Sequence, residues 1–309
     1  MATQFVNKHI TRVLAAGGTV ADATRLAAAD SWMTSEGLLQ HIGDWSNPAF
    51  GVIKNGSNEI SKIMGLGTTW LPRLGDLTPS TPANTLYDAT AIGGLPAWTN
   101  TANTAYSYYG AARSGTIRTM PIRRKHHDGL TIVAVYKKSG TAVASMLGLG
   151  AFGGIYLQNT SGSPGSCKFN IGIPSSVGTA FSDTHPTTLA NSAVHIIGGT
   201  FDQDTVTSYV EGVAGSGSSG YIAANANSTR REYRPLSGPM DENSQIYSFL
   251  ASGTSAARFT NSTTATAVTP SGTANEALFS MSDLIFFYTA LTPTQMASLN
   301  SLLRGWYGP

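Results

Sequence analysis

Cysteine is nearly missing from this chain. Cys167 stands alone, so no disulfide within the chain can form. Charge is scarce as well: Asp, Glu, Lys and Arg make up 12% of residues, about half the share of an ordinary soluble domain. The formal net charge is only +2, which removes any strong electrostatic pull toward nucleic acid or an anionic membrane. No apolar run approaches the roughly 18 residues a membrane helix needs. The opening "MATQFVNKHITRV" holds no continuous apolar segment, so no signal peptide is expected, and the chain is expected to be made in a cytosol and to stay soluble.

What is present suffices for a core. Hydrophobic residues are 41% of the 309, with 34 glycines and a surface vocabulary of Ser, Thr, Asn and Ala. A disordered chain could not bury so much apolar surface. Residues 1–45 carry the only long helical rhythm. Phe5, Ile10, Val13 and Leu14 recur at helical spacing and "AAGG" then stops the helix. A second helix follows, with Val20, Ala23, Leu26, Ala27 and Met33 on one face and Thr19 as its expected cap. A helical pair this short must lean on something larger.

From Trp45 onward the period changes. "FGVIKNGSNEISKIMGL" reads as a hairpin around "NGS". Residues 70–128 read as irregular, with Pro72, Pro79, Pro82 and Pro96 and strand-like pieces such as "GTIRTMPI". "LTIVAVYKKSG" is apolar on both faces and so is expected at the centre of a sheet. "MLGLGAFGGIYLQNTSG" and "CKFNIGIP" follow as strands. In the latter, Cys167, Phe169, Ile171 and Ile173 share one face at period two, which makes the thiol a small buried hydrophobe. "AVHIIGGTFDQDTVTSYVEGVAG", 193–215, is a strand, a turn and a second strand. A Ser/Thr/Asn/Gly-rich region spans 215–280, and the chain closes as a strand and a short helix. Short strands without alternating helices predict an antiparallel sandwich.

Particular residues carry two resemblances. His195, Thr200, Phe201, Asp202, Tyr209, Val210, Glu211 and Gly212 are similar to the central hairpin of laminin-G/pentraxin-like domains. "DLIFFYTALTPTQMASL" resembles the last strand and helix of such domains. "IGGLPAWTN" and "ISKIMGLG" occupy places they fill with an early strand pair. The resemblance covers about 46–309 and implies a mainly β, concanavalin A-like jelly-roll sandwich, with 1–45 as a helical attachment segment. Arg12, Val13, Ala15, Gly17, Gly18, Thr19 and Val20, with "PAFGV" at 48–52, resemble the leader of tailed-phage virion proteins that carry such a domain. This second resemblance implies a location on the virion, other virion proteins as partners, and a homo-oligomer.

Chemistry is thin. Glycosidases of this fold need two carboxylates from one strand flanking the sugar at about 5–6 Å. None of the six glutamates (Glu36, Glu59, Glu211, Glu232, Glu242, Glu276) begins an E-x-D-x-E run, and the neighbours Asp241 and Glu242 would face opposite sides of a strand. No catalytic residue and no enzyme activity are expected. Asp202 and Asp204 could offer oxygens to calcium, but an aspartate in such a turn ordinarily caps it, so neither metal nor cofactor is expected. "RRKHHD" at 123–128 is the densest charge. Arg123, Arg124 and Lys125 suit an acidic partner, or else guard a sheet edge. Tyr106, Tyr108 and Tyr109 in "AYSYYG" are candidates for a sugar-stacking patch. The expectation is a non-enzymatic virion structural protein (tail fibre, appendage, head fibre or decoration subunit), or alternatively an adhesin for a host glycan. Neither nucleic acid nor membrane is an expected partner.

Overall fold

The computed structural model describes residues 4–67, 76–79, 82–101, 106–107, 129–139, 144–149, 155–160, 164–171, 181–220, 247–248 and 278–308. Helices are α1 (Gln4–Ala15), α2 (Ala23–Ser35) and α3 (Pro293–Tyr307). The strands up to the first long loops are β1 (Ile42–Ser46), β2 (Val52–Lys54), β3 (Ile60–Ile63), β4 (Thr78–Pro79), β5 (Thr85–Ile92), β6 (Leu95–Asn100) and β7 (Tyr106–Ser107). Then come β8 (Leu130–Ser139), β9 (Ala144–Leu149), β10 (Ile155–Asn159), β11 (Gly165–Ile171), β12 (Phe181–Leu189), β13 (Val194–Phe201), β14 (Val206–Val210) and β15 (Val213–Ala214). The last are β16 (Tyr247–Ser248) and β17 (Leu278–Phe287).

A large antiparallel sheet runs β15-β14-β13-β8-β17-β6-β5. Strand β17 is shared along its far side: β6 pairs with Ser280 and Met281, whereas β1 pairs with Leu284 to Phe287. A second antiparallel sheet, β12-β11-β10-β9, packs on one face of the first. The helices cover the other face. This three-layer order explains β8. Its Ile132, Ala134 and Tyr136 enter the core between the sheets, while Val133 and Val135 enter the core beneath the helices. The chain is a mainly β, antiparallel jelly-roll sandwich with helical segments.

The N-terminal helices form where expected but bury other faces. On α1 the buried residues are Phe5, Val6, His9 and Val13, whereas Leu14 is 60% exposed. Gly17, at φ 74°, ends the helix, and the Gly18 N–H returns to Val13 O, as a left-handed C-terminal cap requires. The cap of α2 is Asp22, whose Oδ1 accepts the Arg25 N–H at 2.8 Å, and not Thr19. Leu26, Ala29, Trp32 and Met33 are buried together with Arg25 and Asp30, while Ala23 is exposed. Residues 85–91, read from sequence as irregular, and 92–100, likened there to an early strand pair, form the hairpin β5–β6 around Gly93–Gly94. Strand β5 shows no clean alternation of burial, so no period marked it.

Helix α3 carries a complete capping box. Thr292 Oγ1 accepts the Gln295 N–H, Gln295 Oε1 accepts the Thr292 N–H, and Pro293 opens the helix. Cys167 is fully buried against Gly198 O, and burial pushes its thiol up to about 12. The native protein should therefore leave a disulfide reagent untouched at neutral pH and titrate its single thiol only in denaturant; rapid native labelling would contradict this packing.

Candidate functional site

The residues that carried the leader resemblance lock onto the sandwich. Arg12 Nη1 donates to both oxygens of Asp76, at 2.8 and 3.0 Å, and Nη2 donates to Gly65 O at 2.6 Å. Thr19 and Val52 exchange backbone hydrogen bonds, and the N–H groups of Ala21 and Asp22 both reach Ala49 O. Gly18 and Gly51 let these segments touch. A Cβ on Gly18 would lie 2.9 Å from Val52 O, and one on Gly51 would lie 2.7 Å from Val13 Cγ2. "RVLAAGGTV" and "PAFGV" are therefore two halves of one contact.

Two carboxyls are fully buried beside this contact. Asp283 on β17 accepts Trp45 Nε1–H and Asn47 Nδ2–H, each at 2.7 Å, and the Tyr307 hydroxyl. Asp44 on β1 accepts the Ser46 hydroxyl and the Gly67 N–H. Although β1 and β17 are neighbours, Asp283 lies on the Trp45 side of the sheet and Asp44 on the opposite side. The pair cannot flank one substrate, and neither reaches solvent. Burial raises both carboxyls, Asp44 to about 7 and Asp283 in the same direction.

His9 behaves in the opposite sense. Burial, reinforced by Arg12, pushes its imidazole down to about 3, while its Nε2 meets Phe50 O at 3.2 Å. Between about 3 and the ordinary 6.5 the unfolded chain binds a proton at His9 that the folded chain does not, so this group loses stability as pH falls through that window. Between the ordinary 3.8 and about 7 the folded chain holds the extra proton on Asp44, so this group loses stability as pH rises. The two slopes oppose each other over their shared range. Denaturant titration across pH should show Asp44→Asn growing more stable with rising pH in the acid range, and His9→Gln growing less stable. Parallel curves for both variants would contradict these assignments.

The polar side chains of the 193–215 hairpin make turn and packing contacts. Asp202 Oδ1 accepts the N–H groups of Asp204 and Thr205, at 3.1 and 2.7 Å, and so caps its own turn. Burial alone would raise the Glu211 carboxyl, but the His195 imidazole, with Nδ1 3.9 Å away, and hydrogen bonds from Arg304 and the Ile196 N–H hold it below the usual range. Arg304 belongs to α3, and Gly212, at φ 75°, sits where a Cβ would lie 2.8 Å from Asn300 Cβ. "VEG" is thus the seat of the C-terminal helix.

Asp183, His185 and Ser208 converge on Gly215 without forming a nucleophilic triad. Ser208 donates both its N–H and its hydroxyl to Asp183 Oδ2, at 2.8 and 2.7 Å, joining the two sheets. His185 uses Nδ1 to accept the Thr187 N–H and turns Nε2 to Val213 O. Neither imidazole nitrogen is left to activate the serine. The register of β12 slips here, around Pro186, which has no N–H to give to a ladder and stands on an edge strand. Sequence reading missed this clip because its members lie on separate strands.

Of the sequence-predicted binding residues, Tyr106 lies in β7. This strand pairs with β16 and β4, so the small sheet brings pieces of the 70–128 and 215–280 regions together. Tyr108, Tyr109, Arg123, Arg124 and Lys125 lie outside the described residues, as do His126, His127 and "GTIRTMPI". Trp32, Trp45 and Trp98 are buried, which makes them packing residues. Among the described residues, no three His, Cys, Asp or Glu side chains gather as a metal site, and no helix is long and apolar enough to cross a membrane.

No protein-family model matches the sequence, and no curated protein is significantly similar to it. Solved structures with related shape include a mutant Trypanosoma rangeli sialidase with trans-sialidase activity, at 11% identity and TM-score 0.48, covering 86% of this chain and 33% of that one. The binding domain of Paraclostridial Mosquitocidal Protein 1 gives 10% identity and TM-score 0.48, over 84% and 52% of the two chains. The CBM40 of a Ruminococcus gnavus IT-sialidase, bound to alpha2,3 sialyllactose, gives 12% and 0.38, over 56% and 83%. The chain thus spans about a third of the length of the sialidase. These three scores lie below 0.5, and the sandwich rests on its own strand order.

Proposed function

We propose that this chain is a non-enzymatic structural protein of a tailed-phage virion, displaying a lectin-like sandwich as a tail-fibre, appendage, head-fibre or decoration subunit. One observation carries the reading. The residues that resemble the virion leader are the ones that join the N-terminal helices to the sandwich, through Arg12–Asp76 and Thr19–Val52. The buried carboxyls are committed to packing, which favours a non-enzymatic role. Neighbouring virion subunits and further copies of the chain are the proposed partners. Mass spectrometry of gradient-purified particles from the source culture should find this chain at the abundance of a structural protein. Its absence from every particle fraction would overturn the reading.

Glycan binding on the same particle is the second reading, and the outer face of the smaller sheet favours it. Ser166 stands opposite Thr188 and Lys168 opposite Thr184, a polar array on the solvent side. Hydroxyl and ammonium groups in such an array suit a neutral or acidic sugar. Tyr106, Tyr108, Tyr109, Arg123, Arg124 and Lys125 remain its proposed loop contacts. On a glycan array, the purified chain should retain a defined sugar class, and Lys168→Ala with Thr184→Ala should weaken retention about tenfold, a loss of about 1.4 kcal/mol. Equal binding by the variant would remove this face, and replacing Arg123, Arg124 and Lys125 by Ser tests the loop in the same way.

A further inference from the structure

The turn between β2 and β3 contains the only Asn-Gly pair in the sequence, Asn55–Gly56. Residues 54–58 are exposed, and a Cβ placed on Gly56 would meet nothing within 4 Å. The Gly56 amide nitrogen is therefore unshielded, and no hydrogen bond among the described residues occupies it. The Asn55 carboxamide, in contrast, is held through both its oxygen and its nitrogen. Its Oδ1 accepts the N–H groups of Ser57 and Glu59, at 2.9 and 3.0 Å, and its Nδ2 donates to Glu59 Oε2 at 2.6 Å.

We infer that Asn55 is a self-modification site, converted within the folded protein to aspartate and isoaspartate through a cyclic imide. The Gly56 nitrogen gives up its proton and attacks Asn55 Cγ. A C–N bond forms, and the carbonyl π pair moves onto Oδ1. The two backbone N–H groups already aimed at Oδ1 stabilise that oxyanion, as preorganised donors do in acyl transfer. Collapse re-forms the carbonyl and expels Nδ2, which takes up the proton and leaves as ammonia. The Glu59 carboxylate, hydrogen-bonded to the departing nitrogen, is placed to relay the proton. Water then opens the imide at either carbonyl. The net change is asparagine plus water to aspartate or isoaspartate plus ammonia, with no oxidant, metal or second protein.

The product alters the turn. It has no amide hydrogen for Glu59 and sets a second carboxylate against it. The isoaspartate form also inserts a backbone carbon between Lys54 and Ile60, which are paired across the hairpin. Because Val52 of this hairpin holds Thr19, conversion loosens the hairpin that anchors the leader.

Trypsin cuts after Lys54 and Lys62, so peptide mapping reads this site directly as "NGSNEISK". The full chain should be incubated at neutral pH beside the same synthetic peptide, with fragmentation that separates aspartate from isoaspartate. Conversion is expected severalfold faster in the folded chain than in the peptide. It should slow severalfold in Glu59→Gln, whose fold is checked by circular dichroism, and nearly stop in Gly56→Ala. A folded rate equal to or below that of the peptide would mean that the turn protects Asn55 and would overturn the proposal. An unchanged rate in Glu59→Gln would overturn the assigned proton relay.

Discussion

Replacing Trp45 by alanine is expected to destabilise the protein by about 3–5 kcal/mol, the largest effect of any single truncation considered. The indole is fully buried beneath the helices, with ring centroids 6.3 Å from Trp32 and 6.1 Å from both Phe50 and Trp306. These partners come from α2, the segment after β1, and α3, so one side chain joins both ends of the chain to the sheet. Its Nε1–H also serves Asp283, whose remaining donors are Asn47 and Tyr307. Alanine removes the packing and leaves a buried carboxyl short of a partner. Trp45→Phe keeps most of the ring volume and isolates the second loss, expected at about 1–3 kcal/mol. Urea denaturation measures both. A loss under about 1 kcal/mol for Trp45→Ala would mean that the helical layer is not cemented through this residue.

The second large effect is expected between the sheets. Gly199, on β13, lies directly under the Phe169 ring of β11, and an added Cβ would fall 2.1 Å from Phe169 Cγ. Neither partner can yield easily, because Phe169 is fully buried and Gly199 is paired on both sides, with Ile132 and Ser208. Gly199→Ala should cost about 3 kcal/mol, toward the upper end of overpacking penalties. Combining it with Phe169→Leu should cost less than the sum of the single changes, since the smaller side chain vacates the clash. Simple additivity in the double-mutant cycle would contradict the face-to-face contact.

The physical origin of each element decides how much the sequence reveals. "LTIVAVYKKSG" could be read as central because a strand covered on both faces has no polar period. The hairpin at 52–63, the Asp202 turn, the burial of Cys167 and the final strand and helix were legible for similarly local reasons. Strand β1 was not. All five residues of "IGDWS" are buried, yet Asp44 and Ser46 are polar, satisfied by Gly67 and by each other. Helix α2 hid its packed face in the same way, since Arg25 is buried by stacking on Trp306 and Tyr307 and by pairing with Asp22. Long-range partners of this kind leave no periodic trace. The Asp183–Ser208 clip and the Glu211–Arg304 pair join residues 25 and 93 positions apart, so they emerged only with the fold.

The glycines of the leader were legible as a motif but not as a mechanism. Gly17 ends α1, Gly18 admits the Val52 carbonyl, and Gly51 admits Val13. Their spacing reflects one close contact between two backbone segments. That contact joins the fold to the proposed role, because it fixes the N-terminal helices on the sandwich.

Immunogold labelling of filtered particles from the source culture, with antibody against the purified chain, tests the proposed virion role most directly. The account predicts gold on intact particles, at the tail and its appendages or over the head. Particles that stay unlabelled while the antibody detects free protein in the same culture would contradict it.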